Sequence, residues 1–475
     1  MPAWVQEAYR GRGISAKPGS TRRLALVCLA LILWFAAGSR PPAMMPHAAV
    51  YYVSPSGSDQ NPGTAIRPWR TIQKAADTLV AGDTVYIRAG TYDEQVRPLN
   101  SGAPGAVITY AAYPGETATI DGAHVSLPDW HGLLHIVGKH DIRVSGLNIF
   151  NAGSTVHNVG ALVDQASNIT ISACYVYHTA AAGIRVEGST GVVLSGNEVE
   201  DACYAGYNES IAVGDTNGFD IRDNHVHHSP KAGIDVKNGS ANGQIFHNLV
   251  HDTTDVGIYV DAYARHTYNI EVLANFVHDV ANDGLAVASE QGGLLEHVVL
   301  YNNVVYNNAS TGVYVSPCCI TKHPVRDVRI VNNTVYNNGR SGWGGGIMID
   351  NTQAHGILIR NNIASQNHSF QIRLDTAFPP RQATVDHNLI DGFRGYGGEL
   401  HGDDYVEGDP RFFDAPAGDL HLRALSPAID RATALDAPPE DMDGQPRPQG
   451  LAYDIGADEH YAVDAVYLPL IRKQR

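Results

Sequence analysis

The chain has 475 residues, of which 48 are glycine and 25 proline, with 44% hydrophobic and 17% charged residues; this globular composition excludes a disordered or collagen-like chain. Net charge is −16, and residues 1–40 carry six basic side chains against one glutamate, so the remainder stands at −21 and repels nucleic acid. Glycine and asparagine outweigh lysine and glutamate, which disfavours long helices and points to an all-β fold.

Residues 24–37 form an apolar run after Arg22-Arg23 and before Gly38-Ser39, which predicts a signal peptide or N-terminal anchor over residues 1–40 and a secreted or cell-surface protein. The run is shorter than the ~20 residues of a bilayer span. Cys28 lies inside it, and Cys174, Cys203, Cys318 and Cys319 are too few for a disulfide framework and lack a zinc-type spacing, so they are assigned to structure. Residues 50–132 are expected to hold an N-terminal cap and the first coils. There the spacing of Ile72, Ala75, Ala76 and Leu79 predicts a helix over 71–80, and the alternation in Asp83-Thr-Val-Tyr-Ile-Arg88 predicts a strand.

From residue 133 to 395 one pattern recurs. Segments such as Gly183-Ile-Arg-Val186, Gly233-Ile-Asp-Val236, Gly257-Ile-Tyr-Val260 and Gly312-Val-Tyr-Val315 belong to a series of ten, from 133–136 to 371–374, spaced 23 to 34 residues apart. Between them asparagine precedes a short apolar strand, as in Asn224-His-Val, Asn248-Leu-Val, Asn275-Phe-Val and Asn303-Val-Val. Each repeat then holds three strands, and stacked repeats bury alternate side chains while the asparagines bond to one another in a ladder. The prediction is a right-handed parallel β-helix of about ten or more coils; a β-sandwich does not predict a unit of ~25 residues with one asparagine per turn. Residues 396–460 are expected to close the solenoid, and residues 461–475 to form a tail.

The stretch Tyr51-Tyr-Val-Ser-Pro-Ser-Gly-Ser-Asp-Gln-Asn-Pro-Gly-Thr64 through Gly90-Thr-Tyr92 resembles the opening of the pectate-lyase-like β-helix superfamily. Ser426-Pro-Ala-Ile-Asp430, Asp441-Met-Asp-Gly444 and Asp454-Ile-Gly-Ala-Asp-Glu459 resemble the closing segment of secreted bacterial β-helix proteins.

In each Gly-Ile-Asp-Val-like rung, the third residue and the one after the fourth point away from the core. With rungs ~4.8 Å apart, Arg185, Glu187, Asp235, Lys237, Tyr259 and Asp261 fall on four consecutive rungs, with Ala212 and Gly214 as a small floor between them. Tyr207, Asn208 and Glu209 precede the Ala212 rung. This mix suits β-elimination from a uronate polysaccharide. Arg185, Asn208 or a metal would neutralise the substrate carboxylate, Lys237 or a histidine would take the C5 proton, and an acid such as Tyr207 would protonate the leaving oxygen. A neighbouring cation together with burial would lower the lysine pKa toward that use. Glu187, Asp235, Tyr259 and Asp261 complete the expected substrate contacts.

Gly233-Ile-Asp-Val-Lys-Asn-Gly-Ser240 with Gly257-Ile-Tyr-Val-Asp-Ala262 resembles the central repeats of alginate- and pectate-type lyases, a resemblance that implies Lys237 as base and a tyrosine as acid, with Tyr207 ahead of Tyr204 and Tyr259. It leaves calcium as the candidate cofactor, although the full ligand set of a calcium-dependent pectate lyase is not evident and no metal ligand is assigned. Two other classes stay open. Asp235 and Asp261, roughly 8 Å apart diagonally, suit an inverting glycoside hydrolase, and a column with Tyr259 and Tyr314 suits a non-catalytic sugar-binding protein. The plain alternative for Lys237 is a surface ion pair with Asp261, worth ~0–1 kcal/mol. His225, His227, His228, His247, His251 and His278 follow strand alternation and are assigned to turns and walls. The expected partner is an anionic polysaccharide, bound by a monomer.

Overall fold

The computed structural model describes residues 48–461 apart from 319, 320 and 380; the expected leader and the tail after 461 lie outside the described residues. Within them the chain winds as a parallel β-solenoid. Ten coils carry a strand in each of three parallel sheets. One sheet has ten strands, from Gly132–Val137 to Ile372–Leu374, and two have thirteen, from Val50–Val53 to Ala383–Asp386 and from Gly90–Tyr92 to Val406–Glu407. The ten-stranded sheet holds the ten expected rungs. A representative coil runs Ile234–Lys237, Ala241–Phe246 and Leu249–Thr253, one strand per sheet.

Alternation in these strands places Ile234, Val236, Ile245 and Val250 inside, all fully buried, and the next coil stacks Ile258, Val260, Ile270, Val272 and Val277 on them. Each such side chain contributes ~1.5–3 kcal/mol by leaving water. The glycine surplus has a packing cause. A Cβ at Gly233 would lie 2.5 Å from Val250 Cγ1 and 2.6 Å from the Gly257 carbonyl oxygen, and the same clash recurs at Gly183, Gly257, Gly284 and Gly312. Strand and neighbouring strand approach there too closely for any side chain.

The asparagine ladder forms as expected at the turn between the two thirteen-stranded sheets. Asn224 donates its backbone N–H (3.0 Å) and its side-chain amide (2.9 Å) to Asn248 Oδ1, and the Asn248 amide donates in turn to Asn275 Oδ1 and to the Ile221 carbonyl. The residue before each ladder asparagine, such as Asp223 (φ 56°) or His247 (φ 54°), adopts the left-handed conformation that turns the corner. A second ladder, Asn308 to Asn338 to Asn367, runs beside the ten-stranded sheet.

The expected helix spans Ile72–Thr78. Thr71 caps it by accepting from the Lys74 N–H at 3.1 Å, and Ile72, Ala75 and Ala76 turn into the core. At the other end Arg447 is fully buried, pairs with Glu459 at 2.9 Å and donates to the Gly456 and Ala457 carbonyls. Asp454 accepts the Asp430 and His460 N–H groups, so the carboxylates of this segment hold loops in place. No helix among the described residues is long and apolar enough to cross a membrane.

Candidate active site

Six consecutive strands of the ten-stranded sheet, Ile184–Glu187, Ile211–Gly214, Ile234–Lys237, Ile258–Asp261, Leu285–Ala288 and Val313–Val315, line a cleft of about 800 Å³. Backbone register sets Asp235 opposite Ala212 and Tyr259, and Lys237 opposite Gly214 and Asp261. Arg185, Glu187, Asp235, Lys237, Tyr259 and Asp261 all face this cleft. The floor at Gly214 stays open to a neighbour: a Cβ there would lie 2.7 Å from Glu187 Oε2.

The columns do not simply meet solvent. Asp235 and Asp261 are each only 2% exposed. Loops outside the repeat cover them: Glu209, Lys231 and Asp255 lie ahead of rungs of the sheet, and Tyr263 and Glu290 come after them.

Lys237 departs from expectation in its electrostatics. Its Nζ lies 2.6 Å from Glu209 Oε2 and 2.7 Å from Asp235 Oδ2. Burial works against its charge, but the two carboxylates outweigh burial and raise its pKa, so the lysine stays protonated. No cation depresses it, and the expected shift toward a free base is reversed. Its partners are Asp235 and Glu209 rather than Asp261.

The two aspartates carry the opposite perturbation. Burial pushes Asp235 up to about 7, with Lys237 pulling down and Glu209 pushing further up. Asp261 is pushed up to about 8 by burial and then by the charge of Asp235, against one Tyr263 N–H donated to its Oδ1 at 2.5 Å. Asp235 Oδ1 is buried with no hydrogen-bond partner, so one of its oxygens is left unsatisfied. The Tyr259 hydroxyl donates to Glu290 Oε1 at 2.8 Å, and burial with the charges of Asp261 and Glu290 keeps this phenol protonated.

Tyr207 and Asn208 are not among the residues lining the cleft. Tyr207, 44% exposed, meets the His157 ring edge-on at 4.4 Å between centroids. His157 stacks on Trp130 at 4.3 Å, and the Arg185 guanidinium lies 5.1 Å from the centre of the Trp130 ring. Tyr207 therefore belongs to an exposed aromatic platform that reaches the cleft through Arg185, itself 3.2 Å from Glu187. Asn208 sits in the same loop with φ 61° and a buried Oδ1 without a partner.

Seven carboxylates and three basic side chains line the cleft. They do not form a ready calcium cage: among the described residues no three cleft carboxylates bring ligand atoms within 4.8 Å of one another. Calcium, which the resemblance left as a candidate, finds no such set of three carboxylates in this cleft among the described residues. Glu290, Trp130 and His157 are the functional candidates that sequence reasoning missed, because each lies in a loop where spacing does not repeat.

Residues 51–339 match the model of a family described as Pel9A-like, right handed beta helix region. An uncharacterized Bacillus subtilis protein, YwoF, is 29% identical over an alignment covering 79% of this chain and 91% of its own. Pectate lyase PEL9 of Emericella nidulans is 44% identical over 77 residues, 16% of this chain and 19% of that one. Among solved structures, XylC in complex with xylose superposes with a TM-score of 0.50 at 13% identity, covering 86% of this chain and 98% of that chain, a likeness of fold.

Proposed function

The chain belongs to the Pel9A-like right-handed β-helix family, and from that membership we propose that it is an exported enzyme that cleaves an acidic, uronate-containing polysaccharide by β-elimination. The observation that carries the reading is the Asp235 and Asp261 pair, two carboxyls each 2% exposed on neighbouring strands of one cleft, where burial raises both pKa values into the neutral range. Asp235 then offers a base and Asp261, diagonal to it on the next strand, an acid. Asp235 takes the proton from the carbon next to the substrate carboxylate. The electron pair left behind forms the carbon–carbon double bond as the bond to the glycosidic oxygen breaks, and Asp261 gives its proton to that oxygen.

Lys237 keeps its charge in this reading and holds the substrate carboxylate, where negative charge builds during proton removal. As the substrate takes over Lys237, Asp235 loses its ion pair and becomes the stronger base. Arg185 and Glu187 meet the next sugar, Tyr259 and the Trp130, His157 and Tyr207 platform offer ring faces, and Asn208 is a polar contact beside that platform. The 77-residue likeness to a pectate lyase supports the lyase reading.

A second reading, inverting hydrolysis of a neutral glycan by the same two aspartates, is favoured by the excess of carboxylates over cations in the cleft. The full chain incubated with polygalacturonate, alginate and a neutral xylan separates the two. Elimination yields ultraviolet absorbance from unsaturated ends on a polyuronate, lost in Asp261→Asn and in Lys237→Met. Reducing ends without absorbance would replace elimination by hydrolysis, and retention on polysaccharide with no product would remove the enzyme reading altogether.

A further inference from the structure

A second cluster of donors lies on a different sheet, on the outer face of the second thirteen-stranded one. Register aligns Glu198 with His225, and Glu200 with His227, His251 and His278, so strand alternation turns all six outward within four neighbouring strands. Glu198, His225 and His227 bring three ligand atoms within 4.8 Å of one another. His227 is only 6% exposed, and its Nε2 lies 3.3 Å from Glu198 Oε1.

The neighbouring hydrogen bonds limit where lone pairs remain on these residues. His251 Nδ1 donates to Asp252 Oδ2 at 2.7 Å, so its Nε2 must accept, and it lies 2.7 Å from His225 Nε2. His225 therefore carries its proton on Nε2 and keeps a lone pair on Nδ1. In the coils of His251 and His278 the next residue is an aspartate, Asp252 or Asp279, that takes the histidine Nδ1 at 2.7 and 2.8 Å. In the coil of His227 that residue is His228, also left-handed with φ 53°, and the two Nδ1 atoms are 2.6 Å apart. The proton between the two Nδ1 atoms has two placements: with His228 donating, His227 Nε2–H bonds to Glu198, and with His227 donating, its Nε2 lone pair faces the Glu198 carboxylate. A cation between Glu198 and His227 selects the second placement, because it takes up the two lone pairs that otherwise repel.

We propose that Glu198, His225 and His227 form a binding site for a zinc-type divalent cation, with His228 and His251 fixing the ring tautomers behind the ligands. Imidazole and carboxylate donors suit zinc rather than calcium or magnesium. A tetrahedral ion at ~2.0–2.1 Å from each ligand holds ligand atoms about 3.3 Å apart, and Glu198 and His227 already stand 3.3 Å apart. Three protein ligands leave the fourth position to water. The ion ties the coil of Glu198 to the coil of His225 and His227, independently of the chemistry in the cleft.

The competing explanation is a purely structural ring stack, since His227, His251 and His278 stack at 5.2 and 5.0 Å and His278 stacks on Tyr306 at 4.8 Å. His227→Phe separates the two, because it keeps the stack and removes the ligand. The untagged full chain, freed of metal with a chelator, is titrated with Co²⁺ while visible absorption is followed, and its thermal midpoint is measured with and without Zn²⁺. One Co²⁺ per chain with ligand-field bands and a midpoint raised by Zn²⁺ is expected; both vanish in His227→Phe, weaken in Glu198→Gln and survive in His278→Phe. If His227→Phe does not fold, Glu198→Gln and His225→Gln carry the comparison. No Co²⁺ bands in the wild type, or bands unchanged in Glu198→Gln and His225→Gln, overturn the site.

Discussion

Asp261→Asn should stabilise the protein at alkaline pH while it abolishes activity. The carboxyl is 2% exposed and its pKa stands at about 8, against about 3.9 in an unfolded chain. Folding therefore retains a proton that the unfolded chain has released. Stability from this group is fully present below the unfolded value, falls by about 1.4 kcal/mol per pH unit above it, and is lost once pH passes the folded value near 8. Between about pH 5.5 and 8 the cost amounts to about 3 kcal/mol. Asparagine has the same shape and no charge to bury, and it still accepts from the Tyr263 N–H. Urea denaturation of wild type and variant at the two pH values isolates the term, because the remaining excess of acidic groups is common to both. The variant should lose about 3 kcal/mol less than wild type on going to pH 8. Parallel pH dependences in the two proteins would mean that Asp261 is an ordinary ionised aspartate, and the acid role in the cleft would fall with it.

Lys237→Met leaves Asp235 and Glu209 buried without their cation, and should cost about 3–5 kcal/mol at pH 8 by denaturant titration. The loss should shrink below pH 6 as Asp235 protonates. Asn248→Ala removes the acceptor of the Asn224 N–H and amide and should cost about 3 kcal/mol, read as a lower urea midpoint. The rate of cleavage against pH should rise as Asp235 ionises near 7 and fall as Asp261 loses its proton near 8. A plateau continuing well above pH 9 in kcat/KM would remove Asp261 as the acid.

The register was legible because each rung begins at a glycine that packing requires and alternates from there. Counting from Gly233 and Gly257 assigns Asp235, Lys237, Tyr259 and Asp261 their neighbours across strands before any coordinates are known, and the observed pairing agrees. Burial of those columns was not legible. Glu209 reaches Lys237 from 28 residues upstream, and Glu290 reaches Tyr259 from 31 residues downstream. Both come from loops whose lengths vary from coil to coil, so no period marks them. The same cause hid Tyr207's turn toward His157. With Glu209 unplaced and the burial of Asp235 unseen, Lys237 read as a lysine that a cation could depress; with both carboxylates on its Nζ it is a charge locked by two anions.

In a solenoid the repeating column supplies a reference for every position, so chemistry stands out where one coil breaks it. Asp235 stands in its column between Ala212 and Tyr259, with a small residue on one side and a phenol on the other. A carboxylate there is costly to bury, and nothing in coil stacking asks for it. His228 breaks its own column in the same way, as an imidazole where Asp201, Asp252 and Asp279 stand in neighbouring coils. Lys237→Met and His227→Phe therefore test one principle on two sheets. If stacking alone dictated these residues, both substitutions would change stability only and leave substrate turnover and cation binding intact.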